Sequence, residues 1–271
     1  MHELLRPLPH GSLVLDLGCA SGSFDSGDGH LTVIRFDLDR ESPPPANFVQ
    51  GDATNLPFTS GCFEVVISNH SLEHVESLAS SLEEIGRVLK SSGALYVAVP
   101  DASTVTDKLY RWLARGGGHV NHFRSAQDLA LKIERATGLP HKATRTLCTS
   151  LSFLNRRNRR SRPPRRLLLL GGGTQISLLL ITGCFRLLDR FLGTRLSVYG
   201  WAFYFGAVEP RDVDCETWSN VCVRCGSGAS SSWLENMGRV TRSWFGLSTY
   251  TCPQCETRNL FTVDRTWRTL G

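Results

Sequence analysis

Between residues 11 and 100, short apolar runs alternate with helix-like stretches, and Gly, Pro or Asp punctuates the junctions. A parallel sheet needs this alternation, because each strand must be followed by a crossover long enough to return the chain to the same edge. Leu13 to Leu17, Thr32 to Phe36, Asn47 to Val49, Val65 to Ser68 and Leu95 to Val99 are the predicted strands. Val75, Leu78, Leu82, Ile85 and Leu89 recur at three- and four-residue steps between the last two. That spacing lines one face of a helix, which Gly93 can terminate.

Beyond Pro100 the pattern loosens through Gly116, Gly117 and Gly118. Ser125 and Asp128 then form a capping pattern for a helix through Leu129, Ile133 and Ala136 to Gly138. Two strand-like runs follow, Thr144 to Leu154 and Val198 to Val208, separated by an insert at 156–193. The insert holds seven arginines from Arg156 to Arg166 and the apolar segment Leu167 to Phe185. From Asp212 the composition shifts to Cys, Trp, Ser and Thr with few aliphatics, so the expected division is 1–210 and 211–271. A chain of 271 residues has room for one sizeable core and a small appended module.

Val14-Leu15-Asp16-Leu17-Gly18-Cys19-Ala20-Ser21-Gly22 is an apolar strand running into a turn with glycines four residues apart. Small residues there let the backbone approach a ligand closely, although a Gly-rich strand-to-helix turn alone would also fit a dinucleotide fold. Asp37 ends the second strand, where a carboxylate can accept both hydroxyls of a ribose. Gly51-Asp52-Ala53 follows the third strand, Phe63 to His74 covers the fourth and its exit, and Arg87-Val88-Leu89-Lys90 with Gly93 leads into the fifth. This ordered series resembles the class I S-adenosylmethionine-dependent methyltransferases, in particular the family that includes ubiquinone and menaquinone biosynthesis enzymes. The resemblance is firm over 13–100 and fainter to about Glu209.

It implies a Rossmann-like α/β fold, a mostly parallel sheet with a final antiparallel strand. It further implies that Asp16, Gly18, Cys19 and Gly22 shape the methionine pocket, that Asp37 holds the ribose, that Asp52 and Ala53 face the adenine, and that Asn69 adjoins the cofactor. Two features depart from the family. Ala20 stands where glycine is usual, and the Gly- and Asp-rich stretch from Gly22 to Asp37 is too short for a regular first crossover helix. The helix usually found before the first strand is also missing, so the acceptor site is expected to be more open.

His70, Glu73 and His74 leave the fourth strand at the edge where ligands of open α/β sheets bind, and are the candidate catalytic residues. His119 and His122 follow the triple glycine on a loop that could cover the same crevice. Asn69-His70-Ser71-Leu72 replaces the Asn/Asp-Pro-Pro-Tyr/Phe motif, which argues against amino-methylation of adenine or glutamine.

Cys222-Val223-Arg224-Cys225 and Cys252-Pro253-Gln254-Cys255 are two knuckles able to present four thiolates to one zinc ion in a ribbon, with Trp233, Trp244, Phe245 and Tyr250 as an aromatic core. Two disulfides are the alternative, disfavoured in the cytoplasmic setting that the N-terminal residues suggest. Cys19, Cys62, Cys148 and Cys184 are expected to be core thiols, and Cys215 a bystander.

The leading expectation is therefore a methyltransferase for a small-molecule, lipid-linked or glycan acceptor, using S-adenosylmethionine and carrying zinc. An RNA methyltransferase gripping phosphates with the zinc ribbon and Arg156 to Arg166 is the second reading, and a binding protein that keeps the fold without the chemistry is the third. Residues 156–185 are expected either to cover the acceptor site or to lie at a membrane surface, with the arginines drawn to anionic lipid. A buried apolar helix beside a solvated basic loop accounts for the same residues.

Overall fold

A computed structural model describes residues 2–20, 22–24, 29–40, 42–113, 118–155, 173–208, 218–242 and 248–263. The chain forms two compact units. Unit 1 comprises 1–101, 118–145 and 201–215, and unit 2 comprises 102–117, 146–200 and 216–271. Unit 2, which carries Cys222, Cys225, Cys252 and Cys255, draws on three stretches of chain.

After a short helix α1 (His2–Leu5), the strands β1 (Leu13–Leu17), β2 (Thr32–Asp37), β3 (Phe48–Gln50), β4 (Phe63–Asn69), β5 (Leu89–Pro100), β6 (His141–Cys148) and β7 (Val198–Gly206) form one sheet in the order β3-β2-β1-β4-β5-β7-β6. The pairs β1–β2, β1–β4, β2–β3 and β4–β5 are parallel. The end of β7 meets the starts of the strands beside it, with Gly206 N donating to Pro140 O and Ala207 N to Gly93 O. β7 therefore runs against β5 and β6, which makes the sheet mostly parallel and mixed. No helix occurs among the described residues between β1 and β2.

Helix α2 (Leu78–Val88) buries Leu82, Ile85 and Val88 on the sheet, and Ser77 caps it by accepting a bond from Ser80 N. It ends earlier than the sequence suggests. Leu89 already pairs with Phe63, so the chain turns directly from helix into strand. Gly93 instead lies within β5, where a Cβ would come 2.8 Å from Lys90 O and 3.1 Å from Glu64 O. Helix α4 (Ala126–Thr137) has its predicted caps, Ser125 accepting from Asp128 N and Gly138 in the left-handed region. It packs on α2 at Gly86, where any Cβ would lie 2.8 Å from Thr137 Cα. The core of unit 1 joins Leu15, Phe36, Phe63, Val66, Leu82, Ile85, Val97, Ile133, Phe203 and Phe205. The run expected as a strand from Thr144 to Leu154 begins earlier and stops at Cys148, and Ser152–Leu154 form a 3-10 turn after Leu151 at φ +53°.

Unit 2 contains α3 (Val105–Leu113), α5 (Gln175–Leu192), α6 (Ser231–Asn236), the ladder β8 (Asn220–Val221) with β9 (Gly228–Ala229), and an antiparallel sheet of β10 (Val240–Arg242), β11 (Ser248–Thr251) and β12 (Arg258–Leu260). Leu113, Leu151, Leu154, Leu178 and Val223 share one core. The cysteine module is tied to the rest of its unit by Gln175 Nε2 to Arg258 O at 3.0 Å and Asn155 Nδ2 to Val223 O at 3.0 Å. Asp189, buried on α5, accepts bonds from Leu196 N, Ser197 N and Thr194 Oγ1, which fixes the chain leaving that helix. Among the described residues no helix is long and apolar enough to cross a membrane. Ile176, Leu180, Leu187 and Phe191 of α5 are exposed. Arg156 to Arg166, Cys215, Trp244 and Phe245 lie outside the described residues. Cys184 is exposed rather than a core thiol, because it falls on this open side of α5, whereas Cys19 and Cys148 are buried and Cys62 is half-buried.

Candidate functional site

The ends of β1, β2 and β4 bring three groups of residues to one edge of the sheet. Asp16 is fully buried near the end of β1. Its Oδ2 accepts from Ser23 N at 2.9 Å, which closes the glycine turn, while its Oδ1 is buried with no hydrogen-bond partner. Burial pushes this carboxyl above its usual range, although the Ser23 bond and Arg35 act in the opposite direction. A buried carboxylate oxygen with an unused lone pair is suited to a cationic or N–H donor that a ligand would bring.

The turn itself needs Gly18. Its φ is +69°, and a Cβ there would lie 2.2 Å from Cβ of Ser71. The first turn of the site is thereby packed directly on the segment leaving β4. Ala20, where the family usually has glycine, also adopts a left-handed φ of +43°. Ala20 N donates to Asp37 Oδ2 at 2.7 Å, and Asp39 N to Asp37 Oδ1 at 3.2 Å. Each oxygen keeps a further acceptor site, so the half-buried Asp37 can still take hydroxyl donors. Cys19 is buried between these carboxylates, and burial followed by the charges of Asp16 and Asp37 pushes its thiol up to about 12. It stays a neutral thiol. Asp52 is exposed and forms a local turn with Thr54 N at 2.9 Å, and Ala53 beside it packs on the core.

Past Asn69, His70 takes a left-handed φ of +58°, and Ser71 Oγ lies 2.6 Å from Ser68 Oγ. His70 Nδ1 stands 3.7 Å from Oε1 of Glu73, which is 1% exposed. His74 is exposed, with Nδ1 3.0 Å from Gly118 O and its ring 5.0 Å from that of His119. The structure thus brings His70, Glu73 and His74 together and adds His119 from a loop far along the chain. His122 is exposed and does not join them, its Nδ1 resting on Val120 O.

In unit 2 the two knuckles have matching hydrogen bonds. Cys222 N donates to Ser227 O and Gly226 N to Cys222 O, as Cys252 N does to Thr257 O and Glu256 N to Cys252 O. Gly226 and Glu256 both adopt positive φ at equivalent places. The sulfurs of Cys222 and Cys255 are 3.6 Å apart, as are those of Cys225 and Cys252, and all four lie within 4.8 Å of one another. No disulfide joins them. Sulfurs bound at about 2.3 Å around a tetrahedral zinc ion would be about 3.8 Å apart, so the arrangement fits that ion. Hydrogen bonds from Cys225 and Cys252 pull the Cys222 thiol down, and the Cys225 thiol is pushed up in return. Full ionisation of all four requires a compensating cation. Buried Tyr250, Leu234 and Ala229, with half-buried Trp233, form the small core around them.

Residues 15–97 match the family described as methyltransferase domain. Unit 1 has the fold of a class I S-adenosylmethionine-dependent methyltransferase domain. Demethylmenaquinone methyltransferase of Beutenbergia cavernae is 35% identical over 97 residues, 32% of this chain and 40% of its own length. Malonyl-[acyl-carrier protein] O-methyltransferase of Pectobacterium atrosepticum is 25% identical over 117 residues, 40% of this chain and 46% of its own. The chain spans less than half the length of these two relatives. The crystal structure of the YcgJ protein from Bacillus subtilis superposes with a TM-score of 0.47 at 18% identity, covering 75% of this chain and 96% of that one.

Proposed function

We propose that this protein transfers a methyl group from S-adenosylmethionine to a small-molecule, lipid-linked or glycan acceptor. The observation that carries the reading is the buried, unpartnered Oδ1 of Asp16 beneath the Gly18 turn, an acceptor suited to the methionine ammonium group. Gly18, Cys19 and Gly22 would shape the same pocket, Asp37 would accept the ribose hydroxyls, and Asp52, Ala53 and Asn69 would border the adenine and the reacting end. When bound, the cofactor supplies an electrophilic methyl on a sulfonium. The chain's own task is alignment, since orientation of a bound acceptor supplies much of the rate. Where the acceptor is a hydroxyl or an ammonium, His70, whose Nδ1 lies 3.7 Å from Glu73 Oε1, is the candidate to take the proton at a ring nitrogen.

Cys222, Cys225, Cys252 and Cys255 would hold one zinc ion, whose role is to fold the small module around it. The exposed apolar row of α5, following seven arginines, suits an anionic lipid surface and with it a lipid-linked acceptor. Calorimetry of the full chain should show binding of S-adenosylmethionine and S-adenosylhomocysteine. Cell extracts supplied with methyl-labelled donor should gain label in the metabolite or lipid fraction only when the protein is present. Absence of cofactor binding defeats the reading, and label confined to RNA moves it to nucleic acid.

A further inference from the structure

Glu73, His74 and His119 each offer a ligand atom, and these atoms lie within 4.8 Å of one another. The loop that brings His119 is pinned to the segment carrying the other two. Val120 N and Asn121 N both donate to Glu73 O, at 2.8 and 3.0 Å, and the Asn121 side chain donates to Leu72 O and Val75 O. His119 is therefore held beside Glu73 by backbone geometry, although it lies remote in sequence. Glu73 is 1% exposed, yet its Oε2 is buried with no hydrogen-bond partner. Taking a carboxylate oxygen out of water without a partner is unfavourable, and a bound cation removes that cost. The Nδ1 of His74 faces a carbonyl oxygen, which can only accept, so Nδ1 carries the proton and Nε2 keeps the lone pair. Metal-bound histidines commonly have their second ring nitrogen fixed in this way.

From these observations we infer that Glu73, His74 and His119 form a divalent transition-metal site. Two imidazoles and one carboxylate favour zinc, iron(II) or manganese(II) over magnesium, which prefers an all-oxygen shell. Three protein ligands leave coordination positions open, the pattern of a reactive rather than a structural site. Ser71, two residues before Glu73, is the residue against which Gly18 packs, so the segment that carries Glu73 and His74 is the one that supports the proposed cofactor turn. If the methyl-transfer reading holds, the open positions take an oxygen acceptor, whose hydroxyl proton a bound cation makes easier to remove. The metal site itself stands without that reading.

Titration of the reduced, metal-stripped full chain with Co2+, with no cofactor present, separates this site from the cysteine cluster. Thiolate ligands give a strong charge-transfer absorption, whereas a His and carboxylate site gives only weak visible bands. Two classes of binding are expected, and the double variant His74→Ala/His119→Ala should lose the weak-band class while keeping the charge-transfer absorption. That retained signal also shows that the variant chain still folds its cysteine module. Cobalt binding by the unaltered chain that is fully accounted for by the thiolate signal overturns the inference. So does a second class that survives the double substitution.

Discussion

Replacing Gly18 by alanine tests whether the cofactor turn and the edge carrying His70, Glu73 and His74 are one mechanical piece. An L-residue at φ +69° costs about 1 to 2 kcal/mol. The new Cβ would also lie 2.2 Å from Ser71 Cβ and 2.9 Å from its Oγ, deep inside contact distance. Ser71 is buried and its hydroxyl is engaged with Ser68, so it cannot simply swing aside. Overpacking of this kind adds about 1 to 3 kcal/mol, for a total of roughly 2 to 5 kcal/mol. Adding Ser71→Gly removes the clashing atoms, and the nearest remaining one, Ser71 Cα, is at an ordinary 3.5 Å. The double variant should therefore recover the steric share, while keeping the backbone strain and losing about 1 kcal/mol of hydroxyl hydrogen bonding. Hydrogen exchange of the β1 and β4 amides reads the loss in unit 1 alone, with calorimetry of S-adenosylmethionine binding alongside. Unchanged protection in Gly18→Ala, or a double variant no better protected than the single one, would refute the reasoning.

Asp16→Asn should weaken S-adenosylmethionine binding by about 1.5 to 3 kcal/mol, the scale of a charge-assisted hydrogen bond, and yet raise the stability of the ligand-free protein at neutral pH, because it removes a buried carboxylate charge. Since the folded pKa of Asp16 is raised, this group favours folding most below the usual carboxylate range and progressively less as pH climbs through the raised value. Cofactor affinity should fall in the same window as pH is lowered, and a pH-independent affinity measured by calorimetry would remove Asp16 from the contact. Asp37→Ala should weaken cofactor binding by about 1.5 to 3 kcal/mol, and unchanged affinity would sink the ribose assignment. Elemental analysis of protein prepared without chelator should find zinc, and Cys252→Ser should lower its content by about one ion per chain and expose the amides of β10, β11 and β12 to exchange; an unchanged zinc content would contradict the assignment. The full chain should float with anionic liposomes and lose flotation when 156–185 is deleted; flotation of both forms or of neither removes the lipid-surface role.

The first five strands were legible because each is a short apolar run closed by a turn residue, and the α4 caps because Ser125 and Gly138 are chemically suited to helix ends. The end of α2 was not legible, because it is set by pairing of Leu89 with Phe63, a contact between distant residues that periodicity cannot express. Gly93 looked like a helix stop and is instead a place of close backbone approach. Of the candidate site, the sequence order of Asp16, Gly18, Asp37 and the four cysteines was enough to group them. His119 could be seen only as a loop histidine after three glycines. What brings it to Glu73 is a set of backbone hydrogen bonds to the Glu73 carbonyl, and those leave no mark in residue type.

The three stretches that build unit 2 also order events during synthesis. Helix α5 emerges from the ribosome well before β12, although Gln175 and Arg186 make their bonds to Arg258 and Thr262. Until the stretch from Cys252 to Leu260 has been made, the first knuckle has no second half and the face of α5 that meets Leu260 at Gly183 is uncovered. A nascent or truncated chain ending near 210 would therefore present α5 with its apolar residues uncovered on more than the side already open in the finished protein. Such a chain would offer chaperones and proteases more apolar surface than the finished unit does.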